Sequence, residues 1–161
     1  MVQIEITDDQ NRPALARLAA HLSDLTPFYG QAGEIVLNST KQRFNEGVAP
    51  DGSRWARNSL VTIARKGQAK PLWGESGSLR TQINHEAGPD GLVWGSGATT
   101  ADYAATQQFG AAKGAFGKTK FGGPIPWGTI PARPYLGSSE EDRSNLVDCL
   151  REYLEEAVQN E

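Results

Sequence analysis

Apolar residues return at three- and four-residue steps early in the chain. Leu15, Leu18, Leu22 and Leu25 set one stripe on a helix expected from about Arg12 to Leu25, with Arg17 and Asp24 on another face. Pro13 suits a first helical turn, where its missing N–H would be unpaired anyway, and Asp8, Asp9 and Asn11 offer caps before it. Ahead of them Val2, Ile4 and Ile6 alternate with Gln3, Glu5 and Thr7, the period of a short strand. Thr26-Pro27 ends or kinks the first helix. A second helix is expected from about Pro27 to Glu46: Tyr29, Gly33, Val36, Leu37, Thr40 and Phe44 share a face, and Glu34, Asn38, Lys41, Gln42 and Arg43 lie largely on the other. Gly47 suits a left-handed C-cap and Pro50-Asp51-Gly52 a turn, so Trp55 is expected to fold back over the helix that ends there.

Beyond the turn the helical period weakens. Leu60 to Lys70 permits either a short helix through Leu60, Val61, Ile63 and Ala64 or a mobile basic stretch around Arg65, Lys66, Gly67 and Lys70. Ser76-Gly77-Ser78 opens a strand or short helix from Leu79 to Ile83. Gly88-Pro89-Asp90-Gly91 is a turn signal before Leu92-Val93-Trp94-Gly95-Ser96, which predicts a hairpin. Thr99 or Thr100 can cap a helix from Ala101 to Gln107 that Gly110 closes. From Ala111 to Gly128 five glycines interleave with Lys113, Lys118 and Lys120 and no period survives; a loop of this length is commonly functional or disordered, and mobility in the isolated subunit is expected. Prolines confine the segment around Ile125, Trp127 and Ile130 to a sheet edge or a loop. At the end, Ser138 with Glu141 fits a capping box, Glu140, Glu141 and Asp142 complement the helix dipole, and Leu146, Leu150, Tyr153, Leu154 and Ala157 form a stripe.

These elements predict an α+β fold: N-terminal helices, a small antiparallel sheet built from the hairpin and the Ile130 strand, a long Gly/Lys-rich loop and a C-terminal helix. A chain of 161 residues supports one core, so a single domain spanning 1–161 is expected.

Charge and chemistry narrow the function classes. Sixteen Lys and Arg stand against nineteen Asp and Glu, a net charge of -3, which supplies no global attraction to nucleic acid or an anionic membrane. The single cysteine, Cys149, fits a reducing cytoplasm, and no apolar stretch suits a leader or a membrane span. His21, His85 and Cys149 fall in no metal-ligand spacing, and Trp94-Gly95-Ser96-Gly97 lacks the Gly-x-Ser-x-Gly elbow. No enzyme, no cofactor, no metal site and no catalytic residue is therefore expected. Arg133, between Pro131 and Pro134, has two readings: an internal hook to carbonyls that the prolines leave unpaired, or, with Tyr135, a subunit contact. Lys113, Lys118 and Lys120 likewise belong either to a solvated tether or to a surface that gathers on an acidic partner or a phosphate backbone.

Three segments carry a resemblance. Leu72-Trp-Gly-Glu-Ser-Gly-Ser-Leu79 fits Leu-x-x-Thr/Ser-Gly-x-Leu through Leu72, Ser76, Gly77 and Leu79. Tyr103-Ala-Ala-Thr-Gln-Gln-Phe-Gly110 fits Tyr-Ala-x-x-x-Gln-x-Gly, and Ile130-Pro-Ala-Arg-Pro-Tyr-Leu-Gly137 fits Ile-Pro-Ala-Arg-Pro-Phe/Tyr-Leu-Gly. In this order, over roughly Phe28 to Tyr153, they resemble the phage virion morphogenesis family, the tail-completion proteins of Mu-like and P2-like tailed phages. The resemblance implies a structural protein of the virion, made in the host cytoplasm, that completes or caps the tail at the head–tail junction as a homo-oligomeric ring. Its implied partners are tail tube or neck proteins, with Arg133, Tyr135, Lys113, Lys118 and Lys120 as candidate interface residues. The alternative is a small nucleic-acid-binding module using the basic loop, which the acidic pI of about 5.4 disfavours.

Overall fold

The computed structural model describes residues 11–74 and 76–159. In chain order the elements are α1 (Asn11–Ser23), α2 (Thr26–Glu46), α3 (Leu60–Lys66), α4 (Ser78–Thr81), β1 (Ile83–Gly88), β2 (Gly91–Ser96), α5 (Ala101–Phe109) and α6 (Glu140–Gln159). The strand read over Val2 to Thr7, with the caps at Asp8 and Asp9, lies outside the described residues. The fold is α+β, as the sequence predicts.

Helix α2 is the centre of the molecule. A proline near its start and Gly47 at φ 73° bound it, and the Gly47 N–H closes the last turn on the Arg43 carbonyl at 2.7 Å. One side of α2 lies against β1 and β2, and another against α6. At Gly33 the approach is so close that a Cβ would fall 2.2 Å from Nδ1 of His85 in β1, so only glycine fits there. Near the C-terminal end, Phe44 sits edge-on to Trp55 at 5.5 Å and tilted to Tyr135 at 5.3 Å, and these three rings anchor the core. Trp55 thus folds back over α2.

Several local expectations change. Among the described residues β1 and β2 form a two-stranded sheet, paired from Ile83 and Ser96 to Gly88 and Gly91, and Ile130 does not join it. Ile130 makes a single bridge with Ala111, because Pro126 and Pro131 on either side have no N–H to extend a ladder. Arg43, assigned to the outer face of α2, is 4 % exposed and faces α6. The capping box of α6 is Ser139 with Asp142: the Ser139 N–H donates to the Asp142 carboxylate at 2.8 Å and the Asp142 N–H to the Ser139 hydroxyl at 3.1 Å. It lies one residue beyond the Ser138 and Glu141 pair, and in that register Asp142 also meets Arg43. Neither Thr99 nor Thr100 caps α5; a 3-10 turn over Ala98–Thr100 runs into it, and the Thr100 hydroxyl donates back to the Gly97 carbonyl. On α1, which meets α6, Leu15 and Leu22 stay exposed, since one neighbouring helix covers less than the full stripe. The stretch after Leu60 resolves as the helix α3, capped by Ser59, whose hydroxyl accepts the Thr62 N–H, and closed by Gly67 at φ 66°.

Candidate assembly surface

Among the described residues the segment after Ile130 has no strand partner, yet much of its backbone is engaged. The Arg133 N–H donates to the Gln107 carbonyl at 2.8 Å, and the Trp55 indole donates to the Pro134 carbonyl at 2.7 Å. The Gln108 carboxamide accepts the N–H groups of Tyr135 and Leu136 at 3.0 and 3.1 Å and donates to the Leu136 carbonyl at 2.9 Å. The Arg43 guanidinium donates to the carbonyls of Tyr135 and Gly137 at 3.1 and 2.7 Å. Side chains of α2 and α5 therefore do the work of neighbouring strands, which explains an extended Pro-rich segment inside the domain. Gly110 makes the approach possible: at φ 76°, a Cβ there would fall 2.7 Å from the Ile130 carbonyl oxygen.

Arg43 and Asp142 form a buried ion pair, 4 % and 2 % exposed. Burial alone would push the Asp142 carboxyl up, but hydrogen bonds from Ser39 and Ser139 and the Arg43 charge hold it below the usual carboxylate value. Neither residue stands out in the sequence. The charge of Arg43 reads as polar surface, and its partner is almost a hundred residues further on.

Arg133 is 7 % exposed and hooks two carbonyls, those of Ala56 at 2.8 Å and Arg57 at 3.2 Å. The hook reading therefore has a geometric basis, although the carbonyls lie on the strand-less segment after Trp55 and not beside the prolines. Burial pulls its pKa below the ordinary arginine value. Tyr135, expected beside it at a subunit contact, is 1 % exposed, with its ring on Phe44 and its hydroxyl on Ser96. That enclosure leaves Tyr135 no surface to offer a neighbour.

The stretch from Ala111 to Gly128 is not structureless. It folds as an irregular hairpin: Ala111 and Ile130 exchange hydrogen bonds, the Gly114 N–H donates to the Pro126 carbonyl, Phe116 and Gly117 pair with Ile125, and the Thr119 N–H donates to the Gly123 carbonyl at 2.7 Å. Glycines at positive φ, Gly117 and Gly122 among them, make the tight turns that this needs. The fold of the hairpin buries little: Phe121 is 87 % exposed, Trp127 79 % and Phe116 57 %. Lys113, Lys118 and Lys120 are exposed on the same hairpin, which carries no acidic residue, and the Lys120 ammonium lies 4.9 Å from the centre of the Phe121 ring. The sequence pointed to the lysines; the aromatic tips, whose exposure is the stronger sign of a contact surface, were legible only as residues without periodicity.

The remaining reactive side chains are engaged one by one. His85 Nε2 meets the Glu34 carboxylate at 3.1 Å, Cys149 is buried beside Gln31, and the Ser96 hydroxyl meets that of Tyr135. Among the described residues no group of His, Cys, Asp and Glu is placed to hold a metal ion, and no described helix is long and apolar enough to cross a membrane.

The three sequence segments converge. Leu72, Ser76 and Leu79 from the first, Tyr103 from the second, and Ile130, Pro131 and Arg133 from the third line one cleft of about 560 Å³ on the side of the domain where α3 and α5 face each other. No curated protein and no solved structure matches the chain. The family model for the phage virion morphogenesis family matches residues 6–155. That span takes in every element described above except the last turn of α6, and the chain belongs to the phage virion morphogenesis family.

Proposed function

We propose that this chain is a non-enzymatic subunit that completes the phage tail at the head–tail junction, where like copies close into a ring. The observation that carries the reading is the Ala111–Gly128 hairpin, which presents Phe116, Phe121 and Trp127 to solvent among three lysines. Exposed aromatics are the composition of an interface centre, and lysines around them suit its polar rim. Helix α6 is its electrostatic complement, with seven acidic residues and two basic ones. Arg143 and Arg151 are already paired within the helix to Glu140 and Asp148. Glu152, Glu155 and Glu156 are exposed near the C-terminal end, where the helix dipole disfavours them and a cation from outside relieves them. Two different patches on one subunit, hairpin and α6, are what a head-to-tail interface needs to close by rotation.

Imaging of particles assembled without the protein tests the role: full heads beside unattached tails are expected, and intact virions would refute it. Mixing the subunit with purified tails tests the surface. A collar of subunits at one tail end is expected, and its loss on changing Phe121 and Trp127 to serine would tie it to the hairpin. Tails that take up no subunit, together with tight duplex binding by the free chain, would favour a nucleic-acid module instead.

A further inference from the structure

The cleft on which the three segments converge is lined by cations. Arg57, Lys66 and Arg133 line it, and no carboxylate among the described residues does. None of the three has an ion-pair partner among the described residues. Arg133 spends Nε and Nη2 on the Ala56 and Arg57 carbonyls, which leaves Nη1, on a side chain more than nine-tenths buried, without a hydrogen-bond partner among the described residues. Burial first, and then the Arg133 charge, hold the Lys66 ammonium below its ordinary pKa, the signature of two cations sharing a partly dry site.

The walls are of a different character. Leu72, Tyr103 and Ile130 supply apolar surface, and Thr62, Ser76 and Thr129 supply hydroxyls. Leu72 is also the one non-glycine residue with positive φ among the described residues, at 58°. This conformation disfavours a branched side chain, and it is held by the core behind Leu72 and by the neighbouring Trp73, whose indole donates to the Phe44 carbonyl at 2.8 Å.

We infer that this cleft binds an extended protein segment in which an aspartate or glutamate is flanked by an apolar residue. The carboxylate meets Lys66 and the free Nη1 of Arg133, and the apolar neighbour lies on Leu72 and Ile130. A carboxylate is planar and matches a guanidinium edge, and in a partly desolvated site it relieves the repulsion between the two cations. A nucleic-acid strand needs cations spread along its backbone, whereas here Lys66 and Arg133 are close enough to feel each other's charge beside apolar walls. The assignment of the segment to a neighbouring virion protein rests on the proposed assembly role; the binding chemistry does not.

The test is a titration of the isotopically labelled full chain by NMR with three probes: acetyl-Leu-Glu-Leu-amide, the same peptide with Gln for Glu, and inorganic phosphate. The Glu peptide is expected to move the backbone amides of Gln107, Thr129 and Ile130 and to raise the titration point of the Lys66 ammonium. The Gln peptide should bind about fivefold more weakly, the ratio that a partly exposed ion pair supplies. Lys66→Met should bring the Glu peptide down to the affinity of the Gln peptide while the rest of the spectrum is unchanged. Equal binding of the two peptides, or phosphate shifts that match those of the Glu peptide at the same concentration, would overturn the inference. So would a single-stranded oligonucleotide, added as a fourth probe, that shifts the same amides at lower concentration than the Glu peptide. Tails that fail to take up the subunit would refute the assembly role and leave this titration as it stands.

Discussion

The Gln108 carboxamide is paired with Leu136 in both directions: its Nε2 donates to the Leu136 carbonyl at 2.9 Å and its Oε1 accepts the Leu136 N–H at 3.1 Å. One side chain on α5 thus takes the place of a strand residue opposite a segment that no strand can reach.

Gln108→Leu should lower stability by several kcal/mol, because three backbone groups of Tyr135 and Leu136 lose their partner at about 1–3 kcal/mol for each buried group left unpaired. Gln108→Glu separates donor from acceptor. Its carboxylate keeps the bonds from the two N–H groups but faces the Leu136 carbonyl, and only the protonated acid can donate to that oxygen. Urea denaturation at two pH values checks this: the Glu variant should lie nearer the parent at pH 4 than at pH 7, opposite to the trend of an ordinary surface glutamate.

The Arg43–Asp142 pair ties stability to acid. Its carboxyl is held below the usual value in the folded state, so the stabilisation is present above the unfolded value of about 3.9 and is lost as pH falls through the lower folded one. Asp142→Asn should cost about 3–5 kcal/mol near neutrality, because the Arg43 charge stays buried without its partner. Its stability should then depend less on pH below 4 than that of the parent. Thermal melts from pH 2 to 7 measure both effects, and parallel curves for the two proteins would remove Asp142 as the titrating group.

Arg133→Ala should destabilise by about 1–3 kcal/mol for each of the two carbonyls it leaves unpaired, those of Ala56 and Arg57. Arg57 is exposed, and Arg57→Ala should melt within about 0.5 kcal/mol of the parent. Equal melting of both variants would mean that the two Arg133 hydrogen bonds add no net stability.

Phe121→Ser and Trp127→Ser should leave the melting temperature almost unchanged, since both side chains are mostly in water already. If these aromatics serve assembly, the double variant loses tail-end binding at unchanged stability. Limited proteolysis bears on the same segment. Lys120 is at the exposed tip and Lys118 is bridged to Pro124, so cleavage should come first after Lys120. Faster cleavage after Lys118 would mean that the hairpin hydrogen bonds do not persist in the free subunit.

The sequence by itself determined the elements whose cause is local. The apolar face of α2, its glycine stop at Gly47, the return of Trp55, the hairpin of β1 and β2, the helix α6 and the three segments that carry the family all depend on neighbours a few residues apart. Period, capping and turn chemistry act at that range. The Ile130 segment shows where this stops. Its prolines announce that it cannot be a regular strand, but not that Gln108, Trp55 and Arg43, from 27 to 94 residues away along the chain, supply its missing partners. The ion pair of Arg43 with Asp142, the enclosure of Tyr135, the self-pairing of the basic hairpin and the gathering of Arg57, Lys66 and Arg133 around one cleft belong to the tertiary structure in the same way. A charge in a sequence reads as surface, because leaving water is unfavourable until a particular partner is in place. Only the folded chain brings that partner near.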